Sequence, residues 1–204
     1  MKEYIKIKEW RKEKMIKIPY GISDYKRLIE ENYIYVDKTM YIERLENYPM
    51  AIYVRPRRFG KSLFTSMISY YYDIKEKDNF EKLYKGLYIY DNPTEKKNSY
   101  YILKFNFSGM NIATNKTKDE IEKSFDEKVY LACQDFIVKY NLDIEIEKGK
   151  SSSSTLLELL SKFRRLEKDN KIYIIIDEYD HFTNGMLEGN VSRFVDSLGQ
   201  RRIC

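Results

Sequence analysis

Histidine occurs once in this chain, at His181, and cysteine only twice, at Cys133 and Cys204. A single imidazole leaves His-based metal centres and Ser-His triads with little to build on. The two cysteines lack any metal-ligand or redox spacing, so both read as reduced thiols of a cytoplasmic protein, Cys133 within a helical core stretch. No apolar run approaches the length of a membrane-crossing helix, and the N-terminal MKEYIKIKEWRKEK alternates charged with apolar residues, unlike a secretion signal. Long blocks of one charge are also missing. The 37 basic and 32 acidic residues are interspersed and leave a net charge of +5, which demands no polyanionic partner.

What is present suits a packed α/β chain: 43% of the residues are hydrophobic and 15% aromatic, ample for a core. In residues 1–48, a leading arm precedes IPYGISDY, where Ser23 or Asp24 can cap a short helix burying Tyr25, Leu28 and Ile29. YIYVDKT follows as a short strand-like run, then the helical MYIERLENY. The larger body, residues 49–204, opens with MAIYV, read as a buried strand that runs straight into RPRRFGKS. From Gly60 the period changes, and Leu63, Phe64, Met67, Ile68, Tyr71 and Tyr72 mark one helix face. SYYILKFNFSG reads as the next strand. Thr117 and Glu120 form a capping box for a long helix, KGKSSSS a flexible loop, and Thr155 with Glu158 a second capping box. That second helix is expected to turn Leu156, Leu157, Leu160 and Phe163 inward. Ile172 to Ile176 then form an unbroken apolar run, the pattern of a strand covered on both faces, ending in Asp177 and Glu178.

Two of these segments carry chemistry. A phosphate loop works by turning successive backbone N–H groups toward phosphate at a helix N-terminus. Gly60, Lys61 and Ser62 have the residue types for its end: a glycine for the turn, a lysine for the β and γ phosphates of ATP, a hydroxyl for Mg2+. Arg55 stands where the usual pattern has its first glycine, and Pro56 has no N–H, so donation falls to Arg57, Arg58, Phe59, Gly60, Lys61 and Ser62. Arg57 and Arg58 add charge at the mouth. A carboxylate at the end of a buried strand needs a counter-charge, and Asp177 finds one in a magnesium shell near Ser62. Glu178, one residue on, is placed to polarise a water, which favours hydrolysis over phosphoryl transfer to a metabolite. Asp180 and His181 read as loop residues close by, and the tyrosines as core and helix surface.

PYGISDY, ENYIYVDKT, RPRRFGKSLF, NSYYILKFNFSGM and IIIDEYDHF stand in the order found in the AAA-ATPase-like family of predicted P-loop ATPases, which the chain resembles from about Ile18 to Leu187. The family's loop also reads Arg-Pro-Arg-Arg-Phe-Gly-Lys-Ser, so Arg55 departs from phosphate loops in general but not from this version. The resemblance implies a P-loop three-layer sandwich with a mainly parallel sheet. It also implies phosphate and magnesium binding by Gly60, Lys61 and Ser62, a metal held through water by Asp177, and a hydrolytic role for Glu178. Tyr35 to Thr39 fall where related ATPases contact the base. Longer members continue to a sensor strand, a helical lid and often a nuclease-like domain, so the sandwich is expected to be incomplete at its C-terminus. Turnover by this chain alone is then expected to be weak, and self-association or a completing chain is anticipated. The expected function is an ATP-binding and ATP-hydrolysing switch. The alternatives are a non-hydrolysing nucleotide-binding or interaction module, and a nucleic-acid binder using the basic arm and the Arg57–Arg58 pair.

Overall fold

The structure, a computed structural model, describes residues 17–54, 56, 59–108, 117–166 and 171–178. It mixes helices with a small parallel sheet, consistent with the α/β class. The chain divides into two compact units, Met1–Tyr71 with Glu76–Lys97, and Tyr72–Lys75 with Asn98–Cys204. Among the described residues no helix is long and apolar enough to cross a membrane.

Helix α1, Tyr25–Glu30, starts where the sequence indicates. Asp24 is extended, and its carboxylate accepts the Arg27 N–H at 2.7 Å, satisfying a donor that the first turn leaves open. Of the expected inward residues, Tyr25 and Leu28 are buried and Ile29 only half so. Helix α2, Tyr41–Leu45, buries Ile42. Helix α3, Lys61–Tyr72, buries Phe64, Met67, Ile68 and Tyr71 on one stripe, as its periodicity requires. After a 3-10 turn come α4, Phe80–Tyr84, and α5, Tyr88–Asp91. Tyrosines bind these short helices together. The Tyr25 hydroxyl donates to the Leu83 carbonyl and the Tyr84 hydroxyl to the Met67 carbonyl, both at 2.7 Å, while the two rings stack 5.4 Å apart. Each buried ring thus contributes apolar area without leaving its polar end unsatisfied.

Two strand expectations in this unit fail. YIYVDKT makes only an isolated bridge from Tyr33 to Lys17, and Ile34 and Val36 are exposed. Met50 to Val54 carry no strand, with Ile52 and Val54 about three-quarters exposed. A strand exists only when a neighbour accepts its backbone groups, and the described residues provide neither run with a ladder.

In the second unit, β1, Tyr101–Asn106, pairs in parallel with β2, Ile172–Asp177, from Tyr101↔Ile172 to Asn106↔Asp177. The connection holds α6, Lys118–Tyr140, and α7, Ser152–Leu166. The Thr117–Glu120 capping box is formed as expected. The second box is not. Helix α7 begins three residues before Thr155, because the Asp126 carboxylate of α6 accepts the Ser152 N–H at 2.6 Å and the Ser151 hydroxyl accepts the Ser154 N–H. The serine run is therefore helix rather than flexible loop, Thr155 is buried inside it, and Glu158 pairs with Lys162 and Lys150. The helix phase turns Thr155, Leu159 and Phe163 inward and leaves Leu157 exposed. These residues close a core with Leu103, Phe105, Phe136 and Cys133, whose thiol burial pushes up to about 11. Strand β2 is covered on one face rather than two: Ile175 is buried, whereas Ile174 and Ile176 are about half exposed.

A buried carboxylate organises the start of β1. Asp73 is 1% exposed, pairs with Lys139 at 2.5 Å, and accepts the Tyr140 hydroxyl and the Lys75 N–H, each at 2.9 Å. The Tyr140 oxygen in turn accepts the Ile102 N–H at 2.8 Å.

Tyr140→Phe should therefore destabilise the protein by about 1–3 kcal/mol in urea unfolding, since it strands a buried N–H and removes a carboxylate partner. Leu157→Ala, on the exposed side of α7, should stay within about 0.5 kcal/mol of the parent; equal effects would contradict the role given to Tyr140. Glu158 offers a pH test. Its lysine partners, Lys162 first, hold its carboxyl at about 2 against an ordinary 4.5. A depressed folded-state value gives stability that is present above the ordinary value and is lost as the pH falls from about 4.5 towards 2. Melting temperatures of Glu158→Gln and the parent should converge across that window.

Candidate functional site

The RPRRFGKS segment meets the helix at one left-handed residue. Gly60 has φ +76°, in the left-handed region where a β-carbon is disfavoured, and its carbonyl accepts the Phe64 N–H at 2.9 Å to close the first turn of α3. Among the described residues space is not the reason for glycine: a β-carbon at Gly60 would come no closer to one of them than 3.9 Å, to the Lys38 ammonium nitrogen. Lys61 and Ser62 are half-buried in the first turn, and the Thr65 hydroxyl donates to the Ser62 carbonyl at 3.0 Å. Phe59 is exposed, its N–H reaching the Pro56 carbonyl at 3.4 Å. Arg55, Arg57 and Arg58 lie outside the described residues.

Beside this turn is a cavity of about 330 Å³. Its apolar walls are Val36, Met40, Tyr41, Tyr53 and Phe59, and Asp37 and Lys38 bring polar groups to it. A volume of this size is at the lower end of small-ligand sites. The YVDKT segment and the loop, far apart in the chain, thus share one wall. Asp37 and Thr39 are also tied into the fold. One Asp37 oxygen accepts the Thr39 N–H at 2.8 Å and the Thr39 hydroxyl at 2.7 Å, while the other accepts the Tyr88 N–H at 2.8 Å. Thr39, fully buried, accepts the Ile89 N–H at 3.1 Å. These bonds satisfy the first turn of α5, so Asp37 and Thr39 are structural groups. Burial pushes the Tyr35 hydroxyl pKa up, aided by the Asp37 charge, so this tyrosine stays neutral. Sequence reading missed Met40, Tyr41 and Tyr53, whose local patterns carry no trace of the cavity.

The acidic strand end is in the second unit, whereas the loop is in the first. Asp177 closes β2 opposite Asn106, is 6% exposed, and its carbonyl accepts the Phe107 N–H at 3.2 Å. Glu178 follows with φ +57°, its N–H donating to the Asp177 carboxylate at 3.1 Å. A glutamate in the left-handed region is held there at a cost. Among the described residues no three acidic, histidine or cysteine side chains cluster as a metal cage. Asp180 and His181 lie outside the described residues.

A family model described as a predicted AAA-ATPase matches residues 19–199. No curated protein and no solved structure matches the chain.

The two left-handed residues give opposite expectations. Gly60→Ala should destabilise the nucleotide-free protein by about 1–2 kcal/mol, and Gly60→Asn by less, because asparagine tolerates this region. Glu178→Gly should stabilise it by up to about 1 kcal/mol by relieving the same penalty. Urea unfolding of the three variants checks both signs.

Proposed function

The chain belongs to the predicted AAA-ATPase family, and from that membership we propose that it is an ATP-binding, ATP-hydrolysing switch with the P-loop three-layer sandwich as its fold. Residues 49–204 form the core of this domain, and 1–48 lead into it and wall the base side of its site. The observation that carries the reading is the left-handed Gly60 at the start of α3, with Lys61 and Ser62 in the first turn of a twelve-residue helix. A helix N-terminus entered through such a turn directs backbone N–H groups and positive potential at a phosphate. In this reading Arg57, Arg58, Phe59, Gly60, Lys61 and Ser62 bind the phosphates. The apolar cavity of Val36, Tyr41, Tyr53 and Phe59 takes the base.

Ser62 and Asp177 offer hydroxyl and carboxylate oxygens, hard donors that suit Mg2+, an ion that takes few protein ligands beside phosphate oxygens. When bound, the ion would neutralise charge on the phosphates. Glu178 orients the attacking water and accepts its proton. Its left-handed backbone supports this role, since strained conformations persist where they serve a site.

Millimolar Mg-ATP should raise the melting temperature, by the equivalent of about 2.7 kcal/mol at a hundredfold excess over Kd. Lys61→Ala should remove most of that gain, and an unmoved parent protein would end the nucleotide reading. Glu178→Gln should retain binding and lose phosphate release, whereas Asp177→Asn should weaken magnesium-dependent binding. Identical behaviour of the two would refute their separate roles. Neutral replacements of Arg57 and Arg58 should weaken ATP binding; a loss confined to DNA affinity would favour the nucleic-acid alternative.

A further inference from the structure

We propose that Lys38 is a second phosphate-binding cation, gripping the phosphate chain from outside the loop at the junction between Gly60 and the base cavity. The proposal rests on the nucleotide reading of the loop and adds a residue to it.

Position is the first argument. Among the described residues the Lys38 ammonium nitrogen is the group found at the open side of Gly60, 3.9 Å from where a β-carbon would stand, and Lys38 also lines the cavity. It therefore borders both compartments that a nucleotide would occupy. The second argument is its mounting. Asp37 and Thr39, on either side, are fixed by hydrogen bonds to each other and to the first turn of α5. A lysine whose backbone is pinned on both flanks loses less freedom on gripping a ligand than one on a mobile loop.

The third argument is charge. Lys26, Lys82 and Lys96 of the same unit are each paired with a carboxylate. Lys38 is half-buried and makes no ion pair with a described residue. Its neighbour Asp37 is engaged by Thr39 and Tyr88. The loop also has a shortfall that a cation would offset: Pro56 has no N–H to give, and an arginine stands at the position of the usual first glycine. An ammonium entering from the side brings N–H donors where Pro56 supplies none.

The test measures Mg-ATP and adenosine affinities for the parent, Lys38→Met, Lys38→Arg and Lys61→Ala, together with melting of each nucleotide-free protein. Methionine keeps the apolar stem and removes the charge. We expect Lys38→Met to melt like the parent, to lose about tenfold or more in ATP affinity, the scale of one charged hydrogen bond, and to bind adenosine unchanged. Lys38→Arg should recover most of the loss. Parent-like ATP binding by Lys38→Met, with Lys61→Ala impaired, would overturn the role of Lys38 and leave the nucleotide reading standing. Parallel losses for ATP and adenosine, or a lowered nucleotide-free melting temperature without rescue by arginine, would reduce Lys38 to a structural residue. A parent protein that binds no ATP would overturn both readings.

Discussion

A carboxylate removed from water has to be matched by charge and hydrogen bonds, and in the second unit that requirement is concentrated on Asp73. Lys139, Tyr140 and the Lys75 N–H meet it, and the same residue bridges to Tyr100 next to the first residue of β1. The cluster thereby sets where β1 begins. Strands β1 and β2 run in parallel in one register from Tyr101↔Ile172, which puts Asp177 opposite Asn106. The buried ion pair and the acidic strand end thus stand at opposite ends of one two-stranded sheet.

The first unit is organised differently. Its helices are too short to be stable alone, and buried tyrosines that spend their hydroxyls on Leu83 and Met67 carbonyls hold them in place. Against that frame, the chain enters α3 through a single left-handed glycine. The YVDKT segment is anchored by Asp37 and Thr39, while Val36, Asp37 and Lys38 line the cavity. The same short motif therefore divides its residues between architecture and site.

What was legible in the sequence was local or contiguous. The Thr117–Glu120 box and the Asp24 cap need only neighbouring residues, and both formed. The stripe on α3 was legible for the same reason, as were both strands of the sheet. The start of α7 was misplaced because its cap comes from Asp126, on another helix, a partner that no local pattern contains. Met50 to Val54 shows the limit of apolar runs: hydrophobicity marks a segment suited to a strand, but the ladder depends on a neighbour. In the candidate site, Gly60, Lys61 and Ser62 stood out because a phosphate loop is written in consecutive residues. Tyr53 reaches the same place only through folding.

The Tyr140 hydroxyl at Ile102 has one more consequence, for how a sheet of this kind can be enlarged. With the Ile102 N–H taken by a side chain and Tyr100 exchanging hydrogen bonds with Tyr72 and Ile74, the outer margin of β1 is closed along its opening residues. On the other strand, Ile174 and Ile176 present apolar surface. Among the described residues, a strand joining this pair by backbone pairing therefore meets a sealed border beside the start of β1.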